Sequence, residues 1–305
     1  MRRIAGDSAL ALAVVIAALV APGLYSNQLL LFNFVMFLTL SQGLNIIYGF
    51  TGFLPFGYVG FFGAGAYGFA VSVTLLHLTP FPALAVAAIA SIVVGLVLTP
   101  LLRLSGAYFA IANLAAAQAL YQIVSNPALE DITRGPYGVT LSDVFNPSIS
   151  YPTAVAVMAA AFGVVVWLRN SSFGLALLAI REDPVSAGMA GVAVVRGRTI
   201  AWLLSALIAG LMGGVFAWHI SVFYPDTAFD LGISIFAIVF ALFGGIATLT
   251  GPILGVLLLY GVYNTIGITV PQYFQLIYGT MIVGLVLFLP NGLVSVLTSR
   301  GIRVP

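Results

Sequence analysis

The sequence predicts an all-α polytopic membrane protein: about ten transmembrane helices in two inverted five-helix halves, each broken by a Gly-rich segment. Three observations carry that prediction. Hydrophobic residues fill 62% of the 305 positions and charged residues only 6%, against about 45–50% and about 25% in soluble domains. Apolar runs of roughly 20 residues, the length that crosses a bilayer, recur along the whole chain. Arg169, Arg181, Glu182, Asp183, Arg196 and Arg198 all fall in one polar island between two such runs.

The runs place spans at 8–24, 28–48, 58–78, 82–102, 105–125, 151–168, 199–220, 232–249, 252–269 and 272–289. The first follows Arg2 and Arg3 and has the basic start and short apolar core of a signal peptide. It lacks a small-x-small site before a polar mature start, so it reads as a span. Arg103 lies between the fourth and fifth spans, the island after the sixth, and Arg300 and Arg303 after the tenth. With ten spans, all of these fall on one side. The other side receives Glu130, Asp131, Arg134, Asp143, Asp226 and Asp230. Arginine marks the cytoplasmic face, so both termini are predicted cytoplasmic, and an odd span count would break the segregation.

Two Gly-rich segments, residues 49–67 and 243–260, occupy matching places in the two halves. Broken helices at such positions line the substrate path of inverted-repeat transporters. This reading singles out Gly52, Phe53, Pro55, Tyr58, Gly63, Gly65 and Tyr67 in the first segment and Gly244, Gly245 and Gly251 in the second. The alternative is close helix packing, which the small-xxx-small pairs Gly210/Gly214 and Gly251/Gly255 also fit. The loop over 126–150 contains the turn-forming run at 133–138. It is either a small lid or contact surface, or a plain connection.

In the island, Asp183-Pro184 is a helix start: Asp caps free N–H groups and Pro suits the first turn. Val185 and Met189 share a face at i, i+4, and Gly191 ends the helix in a left-handed conformation. An amphipathic piece over 173–180 precedes it. Helices of this kind insert into a partner's groove or lie on the membrane surface, and the residues leave both open.

Several chemistries are excluded. The chain has no cysteine and no lysine, so it has no disulfide, no thiolate and no GxxxxGK[ST] phosphate loop. ATP, if used, is hydrolysed by another subunit. His77 and His219 lack partners at metal-ligand spacing, and Gly232-Ile-Ser234 lacks the glycine that would complete a nucleophile elbow. No metal, cofactor or enzymatic activity is expected. The net charge of +2 speaks to topology and not to nucleic acid. No carboxylate sits near the centre of a span, which counts against a self-sufficient proton- or sodium-coupled carrier.

Residues 179–192, AIREDPVSAGMAGV, closely resemble the cytoplasmic coupling segment of LivM-like permeases of branched-chain amino-acid ABC importers. Residues 62–67 (FGAGAY), 106–110 (GAYFA), Gly244-Gly245, 249–252 (LTGP) and 290–293 (PNGL) match in the same order. The resemblance spans nearly the whole chain, although its glycine motifs are shared with permeases for urea and sugars. It implies one transmembrane permease domain over residues 1–305 in the cell inner membrane. Residues 169–198 would be its cytoplasmic coupling loop, with Arg181, Glu182, Asp183, Pro184, Val185, Ala187, Met189 and Gly191 forming the ATPase contact. It further implies a homologous second permease, two cytoplasmic ATP-binding subunits and an extracytoplasmic solute-binding protein, all at a lipid membrane. The cargo would be branched-chain or related amino acids; urea, amides, other small solutes and a secondary carrier are the alternatives. The chain departs from the family at Phe53 and Tyr58, where polar Gln and His are frequent, at Ala247 and Thr248 in place of Gly-Ser, and at Gly188 in place of a larger residue.

Overall fold

The computed structural model describes residues 2–269 and, beyond them, Tyr273, Leu276, Gly279, Thr280, Val283, Leu293 and Val294. The helices are, in order, α1 Arg2–Leu24, α2 Gln28–Leu44, α3 Val59–Thr74, α4 Pro80–Val97, α5 Gly106–Val124, α6 Glu130–Thr133, α7 Pro147–Asn170, α8 Ser172–Glu182, α9 Pro184–Met189, α10 Val194–Ile220, α11 Pro225–Ala228, α12 Leu231–Gly244 and α13 Thr250–Thr269. Among the described residues seven helices are long and apolar enough to cross a membrane, and α3 is apolar but shorter. α13 covers the ninth expected span; most of the tenth lies outside the described residues.

Local chemistry sets the ends. Proline occupies the first turn of α4, α7, α9 and α11, where its missing N–H has no helical partner to lose. The Asn27 side chain accepts from the Leu30 amide at 3.0 Å and the Asp230 carboxylate from the Gly232 amide at 2.8 Å. Each satisfies one orphan donor of the helix that follows.

Four expectations need correction. The third span, expected over 58–78, is the shorter α3, because the chain turns before His77, which itself has a left-handed φ of 51°. The eighth, expected to reach 249, stops at Gly244, because Gly245 takes φ +117°, a backbone that only glycine adopts freely. The seventh begins at Val194 rather than at 199, so Arg196 and Arg198 ride on the first turns of α10 and the island's connecting part is shorter. The chain is also not purely helical. Val139–Thr140 (β1) pairs antiparallel with Val222–Phe223 (β2) in register Val139↔Phe223 and Thr140↔Val222. That pairing pins the 126–150 loop to the end of α10, and the Trp218 indole N–H donates to the Val144 carbonyl at 2.7 Å.

α3, α4 and α10 form the tightest part of the bundle. A Cβ on Gly65 would run into the Gly210 carbonyl, one on Gly210 into Ser91, and one on Gly214 would lie 2.8 Å from the Ala87 methyl. The Gly210/Gly214 pair is therefore a packing device between α10 and α4. Large rings fill the space beside it: Phe61 meets Trp202 edge-on at 4.7 Å, and Phe109 meets Trp202 at 5.7 Å. α1 lies outside this core, mostly exposed, and is tied on at one end by the Asp7–Arg169 ion pair at 2.9 Å.

Candidate functional site

The two Gly-rich breaks meet inside the bundle. α2 continues through a π turn, Asn45–Gly49, and then unwinds over residues 52–58. The second break, residues 245–249, lies directly against it. A Cβ on Gly49 would stand 2.7 Å from the Ala247 amide nitrogen.

Two buried amides on one face of α2 join the breaks. Asn45 donates to the Thr248 carbonyl at 2.8 Å and accepts from the Ala247 amide at 2.7 Å. Gln42 donates to the Leu249 carbonyl at 2.7 Å and accepts from Asn45 at 3.2 Å. Backbone freed by unwinding has no water to turn to inside a membrane, so side chains must satisfy it. The first break is served in the same way. Gly57 donates to the Asn113 side chain at 2.7 Å, and Val59 donates to the Ser234 hydroxyl at 2.7 Å. Three helices thus hold one unwound segment: α5 through Asn113, α12 through Ser234, and α10 through Ser205.

The residues expected on the route divide between the break and the packing around it. Gly52 and Phe53 line an open cavity of about 450 Å³ together with Arg103, Arg198 and Pro184. Phe53 meets Phe109 edge-on at 4.9 Å, and the Arg198 guanidinium carbon lies 4.6 Å from its ring centre. Pro55 is buried. Tyr58 is buried too, its hydroxyl donating to the Ser205 carbonyl at 3.0 Å. Gly63 and Gly65 lie within α3. A Cβ on Gly63 would come 2.5 Å from the Phe229 ring, and Gly65 abuts Gly210. Tyr67 is buried with Phe223 at 5.3 Å, and its hydroxyl finds no hydrogen-bond partner. A Cβ on Gly244 would run into the Gly251 carbonyl and one on Gly251 into the Gly245 carbonyl, so neither has room for a side chain, and Gly245 supplies the turn between them.

The island folds into two short helices. Ser171 caps α8, accepting from the Gly174 amide at 3.1 Å, and Leu177 and Ile180 bury one face. Asp183 caps α9, accepting from the Val185 amide at 2.9 Å and from the Ser186 hydroxyl. Those bonds, the hydroxyl's first, hold the Asp183 carboxyl below the usual carboxylate range. Ala187 is buried, while Val185 and Met189 are 69% and 80% exposed. Gly191, at φ +87°, closes the helix, and Glu182 and Pro184 are exposed. Arg181 turns inward: its guanidinium donates to the Gly49 carbonyl at 2.7 Å. One hydrogen bond therefore connects the exposed island to the end of the π turn.

The family model described as "Branched-chain amino acid transport system / permease component" matches residues 28–286. The chain belongs to this family. It is a multi-pass membrane permease component, not an enzyme. The permease is 28% identical over 291 residues to the high-affinity branched-chain amino acid transport system permease protein LivM of Salmonella typhimurium, covering 85% of this chain and 68% of that one. It is 31% identical over 149 residues to the L-arabinose ABC transporter permease protein AraH of Azospirillum brasilense, covering 46% of this chain and 43% of that one. It is 27% identical over 251 residues to the probable branched-chain amino acid transport permease protein LivH of Methanocaldococcus jannaschii, covering 76% and 75%. No solved structure matches significantly.

Sequence reasoning passed over the permease's internal polar joints: Gln42, Asn45, Asn113, Ser205 and Ser234. The available signal was an uncharged polar side chain in the middle of an apolar span, which is costly unless it has a partner. Gln42 and Asn45, three residues apart, fall on one helix face. The partners themselves come from positions about 200 residues away along the chain, and periodicity carries no trace of them.

Proposed function

We propose that this chain is one permease subunit of an ABC importer for branched-chain or related amino acids. It works beside a homologous permease, two cytoplasmic ATP-binding subunits and an extracytoplasmic solute-binding protein. In this reading it crosses the inner membrane about ten times, in two inverted halves with both termini cytoplasmic. The facing breaks lie on the cargo's route, and the island meets an ATP-binding subunit.

The observation that carries the reading is the Arg181–Gly49 hydrogen bond. It makes the exposed α8–α9 pair and the broken end of α2 one mechanical unit, so displacement of the island by a partner is delivered to the breaks. Val185 and Met189 provide the exposed apolar contact for that partner. The membership in a permease family and the likeness to LivM support the cargo. A pentose cargo is the second reading, favoured by the stretch similar to an arabinose permease.

The test is uptake by the assembled complex in proteoliposomes, with ATP inside and binding protein outside. Labelled leucine should accumulate against its gradient and be displaced by isoleucine and valine, but not by arabinose or urea. Accumulation should stop when the partner ATPase loses its catalytic glutamate. Uphill uptake that survives that loss would establish a self-sufficient carrier instead, and displacement by arabinose alone would move the cargo to sugars.

A further inference from the structure

The cavity beside Phe53 has a character that cargo passage does not require. It lies where five helix ends meet: the unwound end of α2, the Thr99–Arg103 turn after α4, the first turn of α5, the start of α9 at Pro184 and the first turns of α10. Arg103 and Arg198 both line it, and no carboxylate does. Among the described residues the Asp7–Arg169 pair is the one ion pair, and no Asp or Glu follows Asp230 in the sequence. The nearest acidic neighbour along the chain, Asp183 beside Pro184, is engaged by its own helix. The Arg198 Nε is buried and makes no hydrogen bond. The amides of the first turn of α5 add to the positive field, since Ser105 provides no side-chain cap there. Two arginines in the lining of one cavity with no carboxylate in it, Arg198 with its guanidinium over the Phe53 ring, make that wall electropositive and suited to an anion.

Depth and surroundings select the anion. Every lining element contributes an end, and the ends of apolar helices are where a bilayer's headgroups meet a protein. Beside it α5 turns Tyr108 and Ile111 outward, 76% and 65% exposed, a bed for an acyl chain topped by an aromatic ring of the interfacial kind. Phe56 and Leu104 form an apolar lip. A basic pocket between transmembrane helices, at the leaflet boundary and open to an apolar flank, takes a phospholipid phosphate.

We propose that this cavity binds the phosphate of an anionic phospholipid headgroup through Arg103 and Arg198, with the acyl chain along α5. The lipid would brace the segment between Gly52 and Phe56, so the complex would depend on anionic lipid for its stability. The inference does not rest on the cargo assigned above.

The purified full chain, stripped with detergent, is titrated with phosphatidylglycerol and with phosphatidylcholine and followed by native mass spectrometry. Phosphatidylglycerol should bind as a discrete adduct and phosphatidylcholine far more weakly. In R103Q/R198Q the phosphatidylglycerol affinity should fall on the order of twenty- to thirty-fold, and R103K/R198K should recover most of it. Millimolar inorganic phosphate should leave the adduct in place, because it lacks the acyl chain. Hydrogen exchange on the wild-type chain needs no variant: phosphatidylglycerol, and not phosphatidylcholine, should protect the amides around 103–107. Equal binding of the two lipids, unchanged affinity in the glutamine pair, or no protection around 103–107 would overturn the proposal. Displacement by inorganic phosphate or by leucine would overturn the lipid as its ligand and assign the site to a free anion or to the cargo's carboxylate.

Discussion

At the scale of single residues, the polar side chains inside the bundle carry the argument. Asn45 is the clearest, because one amide closes two backbone groups that unwinding leaves open. Asn45→Leu keeps the side chain's branched shape and strands both the Ala247 amide and the Thr248 carbonyl. Buried groups left without a partner cost about 1–3 kcal/mol each. The variant should therefore unfold about 2–6 kcal/mol more easily in detergent titration, whereas wild-type stability would show that water reaches the second break. Asp183 makes a pH prediction. Its folded carboxyl is held below its usual range, so its contribution to the start of α9 is fully present above the unfolded value and is lost as pH falls through the folded one. Amide protection at Val185 and Ser186 should stay flat from pH 8 to pH 5 and drop only in stronger acid. In Asp183→Asn that acid dependence should vanish. A drop near pH 6 in the wild-type chain would contradict the capping role.

At the scale of elements, the apolar runs told more about where helices lie than about where they break. Spans at 105–125 and 28–48 were legible because length and hydropathy alone define them, and the α9 start was legible because Asp-Pro is local chemistry. The ends of α3 and α12 were not. A run of apolar residues continues past both, and the chain turns there through backbone conformations at His77 and Gly245 that hydropathy does not register. The strand pair between residues 139–140 and 222–223 was illegible for another reason: each partner is two residues long, too short for any period to show. Of the residues named from the sequence, Gly52 and Phe53 line the cavity, while Gly65 abuts the Gly210 backbone and Gly63 the Phe229 ring. Composition does not separate a glycine that opens a path from one that lets two backbones touch. The contact of Gly244 with Gly251 gives this a test. Gly244→Ala places a methyl group where the Gly251 carbonyl lies, so α12 and α13 must separate, at a cost of several kcal/mol. The variant should lose its monodisperse peak on gel filtration, whereas Gly261→Ala, whose added carbon meets nothing within 4 Å, should behave as wild type.

At the scale of the whole molecule, the fold gathers Arg103, Arg181 and Arg198 around one end of the bundle and pairs a strand of the loop after α5 with one that follows α10. If the arginine end is cytoplasmic, Ala190→Cys in this cysteine-free chain should react with an impermeant maleimide only after cells are permeabilised, and Ser142→Cys should react on intact cells. The reverse pattern would invert the topology. In the proposed function the island drives the broken helices through Arg181. Arg181→Met keeps the unbranched aliphatic stem and removes the donors, while Val185 and Met189 remain exposed. The direct measurement is the ratio of labelled leucine moved to ATP hydrolysed by the assembled complex in proteoliposomes. A charged hydrogen bond is worth about 1.5–3 kcal/mol, so the ratio should fall at least about tenfold while assembly and basal ATP hydrolysis persist. An Arg181→Met complex that moves as much leucine per ATP as wild type would contradict the account.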